Sequence, residues 1–293
     1  MRKGILPFFS LILSLTLVLW PYSSANPKEG RMDAKQVEEM ILKKNWGVTD
    51  YIEKLDLSVI PILLKLAKNS EWEVRQLSLL CLGHFKTPES AEALANALLD
   101  SDINVRSYAA GLLQENYHPA TLPQLLEALK TSEDDHVRAM TVLVIGRIGD
   151  EGTKKELKKI LLIEKDKTTR SNIIQALARL KDEDSRKAIL AELKSPVPKT
   201  RFEAIQKIEY IKDKEMALHL EPLLDDPSPA VTLGASADQT VFVRMNEAAV
   251  KAIAIIFDQP FSFRIDRLRP CTDQEIQEAK QFLQKMKTSK GKR

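Results

Sequence analysis

Two cysteines in 293 residues exclude a disulfide-framed domain. Cys81 lies within LSLLCLGHF and reads as a buried core thiol, whereas Cys271 follows RLRP near the carboxyl end. They would pair only if the two ends of the chain met. Catalytic signatures are missing as well: there is no H-E-x-x-H, C-x-x-C, G-x-S-x-G or phosphate loop. The four histidines, His84, His118, His136 and His219, stand in different parts of the chain without metal-ligand spacing. The acidic cluster SEDDH at 132–136 falls where a helix cap and a turn are expected, so capping takes precedence over cation binding. No catalytic residue, metal or cofactor is therefore assigned.

Net charge is nearly absent too. The formal +3 includes Arg2 and Lys3; without them 42 basic residues face 41 acidic ones, which gives no reason to expect a nucleic-acid partner. The basic end KMKTSKGKR is a short solvated tail. Past residue 20 no segment is apolar for long enough to cross a bilayer. The first residues do carry an apolar run, at 5–20, preceded by MRKG and followed by PYSSA. That order is a secretory signal peptide, 1–25, with cleavage after Ala25. It points to a periplasmic or released protein; an uncleaved amino-terminal anchor is the alternative. No cysteine near the boundary supports a lipid-modified terminus.

What the sequence does have is a period. EVRQLSLLCL, NVRSYAAGLL, HVRAMTVLVI, TTRSNIIQAL and KTRFEAIQKI place Arg75, Arg106, Arg138, Arg170 and Arg201 at spacings of 31, 32, 32 and 31. Each arginine opens an apolar pattern of helical period, and a second helix-like segment follows after a short break. One such unit cannot bury its apolar surfaces alone, but stacked units share a core. Four residues before the arginines stand Glu71, Asp102, Asp134 and Asp166, and in the fifth unit Val197 precedes Pro198. A helix boundary there makes the aspartates N-caps and puts proline at its best-tolerated position. It also puts a cation in the first turn, against the helix dipole. An acid from the same or the next unit is the expected counterweight, which would make these residues a structural ladder rather than active-site cations.

The D-x-x-V-R pattern and turns such as GRIGDEGTKKELKKIL resemble short HEAT-like repeats of the bacterial type, over about 71–225. The resemblance implies an all-α, right-handed superhelix of stacked two-helix repeats. Divergent helices at 26–70 would cap the array, 226–270 would be a sixth repeat interrupted by LGASADQTVFV, and 271–293 a final capping helix and tail. The insertion around 226–242 suits either a binding loop or an end cap, and Phe261 and Phe263 read as sealing that end. On the second helices Lys154 and Lys155 align, 32 residues on, with Arg186 and Lys187, and Lys158 and Lys159 add charge one turn later. They form either a basic strip for an acidic peptide, anionic envelope component or lipid headgroup, or an ordinary charged face.

The leading expectation is a noncatalytic exported scaffold that binds a protein or peptide. Bilin-attachment lyases and their relatives contain similar short HEAT-like repeats, so an enzyme or enzyme-associated subunit is one alternative. A structural or adhesive envelope protein is another. The sequence sets no oligomeric state.

Overall fold

The computed structural model describes residues 32–233, 241–265 and 269–290. The signal-peptide segment and most of the LGASADQTVFV insertion lie outside them. The chain divides into two compact units, Met1–Val144 and Ile145–Arg293.

In the first unit the helices are α1 (Ala34–Leu42), α2 (Ile60–Leu66), α3 (Trp72–His84), α4 (Pro88–Asn96), α5 (Ile103–Leu112), α6 (Leu122–Thr131) and most of α7 (Asp135–Ile148). Short 3₁₀ turns at 46–54, 57–59, 97–99 and 119–121 link or extend them. Their stops and starts are local chemistry. Asp33 and Gln36 close a reciprocal capping box on α1. Thr87 caps α4, whose first residue is Pro88. The core is aliphatic: Leu77, Leu82, Leu94, Leu98, Val105, Leu125 and Leu129 are essentially inaccessible to water. Each such side chain contributes about 1.5–3 kcal/mol of burial. Two buried amides stitch neighbouring helices. Asn116 donates to the Phe85 carbonyl at 2.6 Å and Gln114 to the Met140 carbonyl at 3.0 Å.

The second unit continues with α8 (Glu151–Ile163), α9 (Lys167–Arg179), α10 (Glu183–Glu192), α11 (Pro198–Ile211) and α12 (Lys214–Ala217). The segment KEMALHLEPLL does not stay α-helical. After α12 it runs on as a 3₁₀ helix over Leu218–Asp225 that contains Pro222, because proline supplies no amide for the α ladder. In place of a regular sixth repeat comes an antiparallel hairpin, β1 (Pro229–Leu233) with β2 (Val241–Arg244), its register shifted by an irregularity between Pro229 and Val231. Helices α13 (Met245–Ile256) and α14 (Asp273–Lys290) complete the unit. Thr272 and Glu275 exchange backbone-to-side-chain bonds at the start of α14. Phe261 stacks on Phe263, and Phe282 meets both Phe257 and Phe261 edge-on. Arg244 stands at the N-cap of α13 rather than in its first turn, paired with Glu247 and donating to the Cys271 carbonyl.

Candidate functional site

The five repeated arginines share one contact. In each, Nη1 donates to the carbonyl six residues earlier: Arg75 to Asn69, Arg106 to Asp100, Arg138 to Ser132, Arg170 to Glu164 and Arg201 to Ser195, at 2.8–2.9 Å. Arg75, Arg106 and Arg201 also reach the carbonyl five residues back. Those carbonyls belong to the turn that ends the preceding second helix, where orphan acceptors and the negative pole of the dipole collect. The cation therefore serves the end of the helix before it, not the start of its own. This accounts for its place in a first turn better than an acid partner does. Acids are added where available: Asp100 takes a two-pronged contact from Arg75 at 2.6 and 2.7 Å, Asp226 accepts from Arg201 at 2.9 Å, and Asp134 lies 3.8 Å from Arg106. Arg138 pairs with Asp135 of its own helix.

At the helix starts, Asp102 accepts from the amides of Asn104 and Val105, Asp134 from those of His136 and Val137, and Asp166 from that of Thr169. Glu71 occupies the corresponding place on α3 without a side-chain cap bond, and its carboxylate meets Lys44. Pro198 is the first residue of α11, after Val197.

A second series, not recognised in the sequence, runs along the second helices. Their starts lie twelve residues after each arginine, at Thr87, His118, Asp150, Asp182 and Asp213. Asp182 and Asp213 cap α10 and α12 and are also gripped from the preceding hairpin. Lys158 pairs with Asp182; Lys181 pairs with Asp213, and Arg186 Nη2 lies 3.2 Å from the same carboxylate. Burial pushes the Asp182 and Asp213 carboxyls up. The facing lysines and the amides they cap outweigh it and hold both below the usual aspartate range.

These contacts divide the lysine and arginine strip. Lys158 and Arg186 are engaged between hairpins, with Arg186 largely covered, and Lys154 pairs with Glu151 at 2.7 Å on its own helix. Lys155, Lys159 and Lys187 are exposed. The six residues are thus not one uniform surface but two roles interleaved: inter-hairpin ties and solvent-facing lysines.

One further column lies near the carboxyl ends of α7, α9 and α11. Arg147 and Arg179 both lie against the Tyr210 ring, at 5.6 and 5.2 Å from its centroid, and Arg179 also donates to the Tyr210 carbonyl. Beside it α7 and α9 approach so closely that a Cβ on Gly146 would stand 2.7 Å from the Cβ of Ala176. All three column residues occupy the ninth place after a repeated arginine, a pattern legible in the sequence but not read there. Among the described residues no cluster of histidine, cysteine or carboxylate groups is arranged to hold a metal ion, and no helix is long and apolar enough to cross a membrane. Both cysteines are free and buried.

Helical hairpins stacked so that each fastens to the next define an α-solenoid, held by nearest-neighbour contacts between repeats. The family profile described as HEAT repeats matches residues 91–178 and 155–239, more than half of the chain, and a HEAT repeat profile matches 59–86. The chain belongs to the HEAT-repeat family. Among solved structures it is similar to the complex of CpcE and CpcF of phycocyanin lyase from Nostoc sp. PCC7120, at 13% identity and a TM-score of 0.52, covering 90% of this chain and 100% of that one. That likeness is one of fold. An engineered protein is similar at 18% identity over 78% of this chain and 65% of its own, with a TM-score of 0.38. No curated protein matches.

Proposed function

We propose that this chain is a noncatalytic scaffold that holds a protein or peptide partner outside the cytoplasm, on the exposed face of α8 and α10. One observation carries the reading of the surface. The turn arginines and Arg186 are engaged inside the repeat stack and Lys158 is tied to Asp182 at its surface, whereas Lys155, Lys159 and Lys187 stand exposed on consecutive second helices. Exposed charges on one wall steer an oppositely charged partner, so an acidic segment is the matching ligand. The fold suits the role, since a repeat array devotes its length to surface. The compartment rests on the residues 1–25 pattern of basic, apolar and small residues.

The test combines location and capture. Intact-mass analysis of the natively expressed protein is expected to find a chain beginning at Asn26 in an extracytoplasmic fraction; a retained Met1 with cytosolic fractionation overturns the compartment. Crosslinking and affinity capture from that fraction should retain an acidic partner. Reversing Lys155, Lys159 and Lys187 to glutamate should weaken capture, less so at high salt, with helicity unchanged. Equal capture by both proteins removes this face from the proposal.

A further inference from the structure

The most exposed large apolar side chains among the described residues adjoin each other. Leu162 is 84% and Ile163 76% accessible, at the carboxyl end of α8. A side chain that open projects from the helix end rather than lining a groove. One repeat further along, Val197 is 51% accessible in the turn before α11. These two turns lie on the same edge of the second unit. Arg170 fastens the first and Arg201 the second by the same bond to a carbonyl six residues back, and α9 packs against α11.

Lysines accompany the apolar groups at both turns. Lys165 and Lys167 flank the first turn, Lys194 enters the second, and all are exposed. The acids of the first turn face inward. Glu164 accepts from the amides of Lys165 and Asp166, and Asp166 accepts from the Thr169 amide and hydroxyl. Further exposed acids on these helices, Glu151 on α8 and Glu183 and Asp184 on α10, sit at the opposite, amino-terminal ends, and Glu192, beside the second turn, is paired with Lys207 at 2.7 Å. The edge therefore offers projecting apolar groups with exposed lysines, on long apolar stems, next to them in the chain.

We infer that this edge docks on an anionic lipid surface, with Leu162 and Ile163 entering the interfacial layer and the lysines meeting headgroup phosphates. A rigid protein partner would need a pocket shaped to each projecting side chain. A lipid interface accepts them without one, and lysine stems lie along it with their ammonium groups in the headgroup layer. The inference is independent of the scaffold reading, which uses the lysine face of α8 and α10.

Sedimentation of the full chain with vesicles tests it, comparing pure phosphatidylcholine with phosphatidylcholine containing a third of phosphatidylglycerol. All proteins compared carry the same amino terminus, so the differences between them report this edge. Binding should favour the anionic vesicles. It should fall about fivefold for each of Lys165→Gln and Lys194→Gln and on the order of tenfold for Leu162→Ser with Ile163→Ser. Hydrogen exchange should show vesicle-dependent protection at 161–167 and 194–200. These positions are solvent-facing, so unchanged circular dichroism is expected. Equal binding by wild type and variants, no anionic preference, or protection elsewhere only would overturn the inference. So would an acidic protein that covers this edge while vesicles do not.

Discussion

Asp213→Ala should destabilise the second unit well beyond the cost of losing a helix cap. Asp213 accepts from the amides of Glu215 and Met216, a cap worth about 1 kcal/mol. Its carboxylate also holds Arg186 at 3.2 Å across the hairpin boundary. Because that guanidinium is only 11% exposed, the charge-assisted contact is worth about 1.5–3 kcal/mol. Glu183 at 4.0 Å and Glu215 at 3.9 Å still attract Arg186 afterwards, which places the contact towards the lower end. Lys181 also pairs with Asp213, but its side chain stands in solvent and adds at most about 1 kcal/mol. The whole loss should be about 3 kcal/mol.

Asp150→Ala is the internal control. Asp150 caps α8 through the amide and hydroxyl of Thr153, and no ion pair from another hairpin reaches its carboxylate among the described residues, so its removal should cost only the cap. Asp213→Asn should lie between, since it keeps a capping oxygen and loses the charge. Urea unfolding measures the three. Native-state hydrogen exchange over α10–α12 reads the same loss locally, which matters because a repeat array need not unfold in two states. In an Arg186→Met background Asp213→Ala should cost markedly less, isolating the contact as a coupling energy. Equal losses for Asp213→Ala and Asp150→Ala, or no coupling, would refute the reasoning.

Acid should loosen the stack. Asp100, Asp182, Asp213 and Asp226 are all held below the usual aspartate range despite burial, which alone would raise them. Depressed folded-state values mean a stabilisation fully present above the unfolded value of about 4 and lost as pH falls through the folded values. Urea midpoints should therefore drop below about pH 4, less steeply in Asp182→Asn/Asp213→Asn than in wild type; parallel profiles would count against it. Gly146→Ala should cost about 1–3 kcal/mol by forcing α7 away from Ala176, and a stabilised variant would show that the helices separate freely. Burial pushes the Cys81 thiol up to about 12 and that of Cys271 up to about 11. Both should resist an aromatic disulfide reagent in the native protein and react at once in denaturant; fast native labelling of either would contradict its burial.

The sequence displayed the repeat because arginine is a rare thing to find at a fixed place in an otherwise apolar pattern. It hid the reason because the common partner is a carbonyl. Residues 69, 100, 132, 164 and 195 are Asn, Asp, Ser, Glu and Ser; any side chain serves when the main chain is the acceptor. An acid search finds Asp100 and Asp226, the looser approach of Asp134 to Arg106 and the Arg138–Asp135 pair, and misses the acceptor that all five arginines share. The second-helix series was readable from spacing alone, since Asp150, Asp182 and Asp213 repeat at 32 and 31. Until that series is read, Lys158 and Arg186, which answer Asp182 and Asp213, look available for a ligand. A cation's meaning here depends on which carboxylate the stacking brings beneath it, and that carboxylate lies 24 to 32 residues away in Lys158–Asp182, Arg186–Asp213 and Lys181–Asp213. Leu162 and Ile163 show the converse. Within KKILLI they look like more core, because helical period alone does not say where the next hairpin ends its cover. Their exposure appears only in the folded chain, at the carboxyl end of α8, where they stand next to the exposed Lys165 and Lys167.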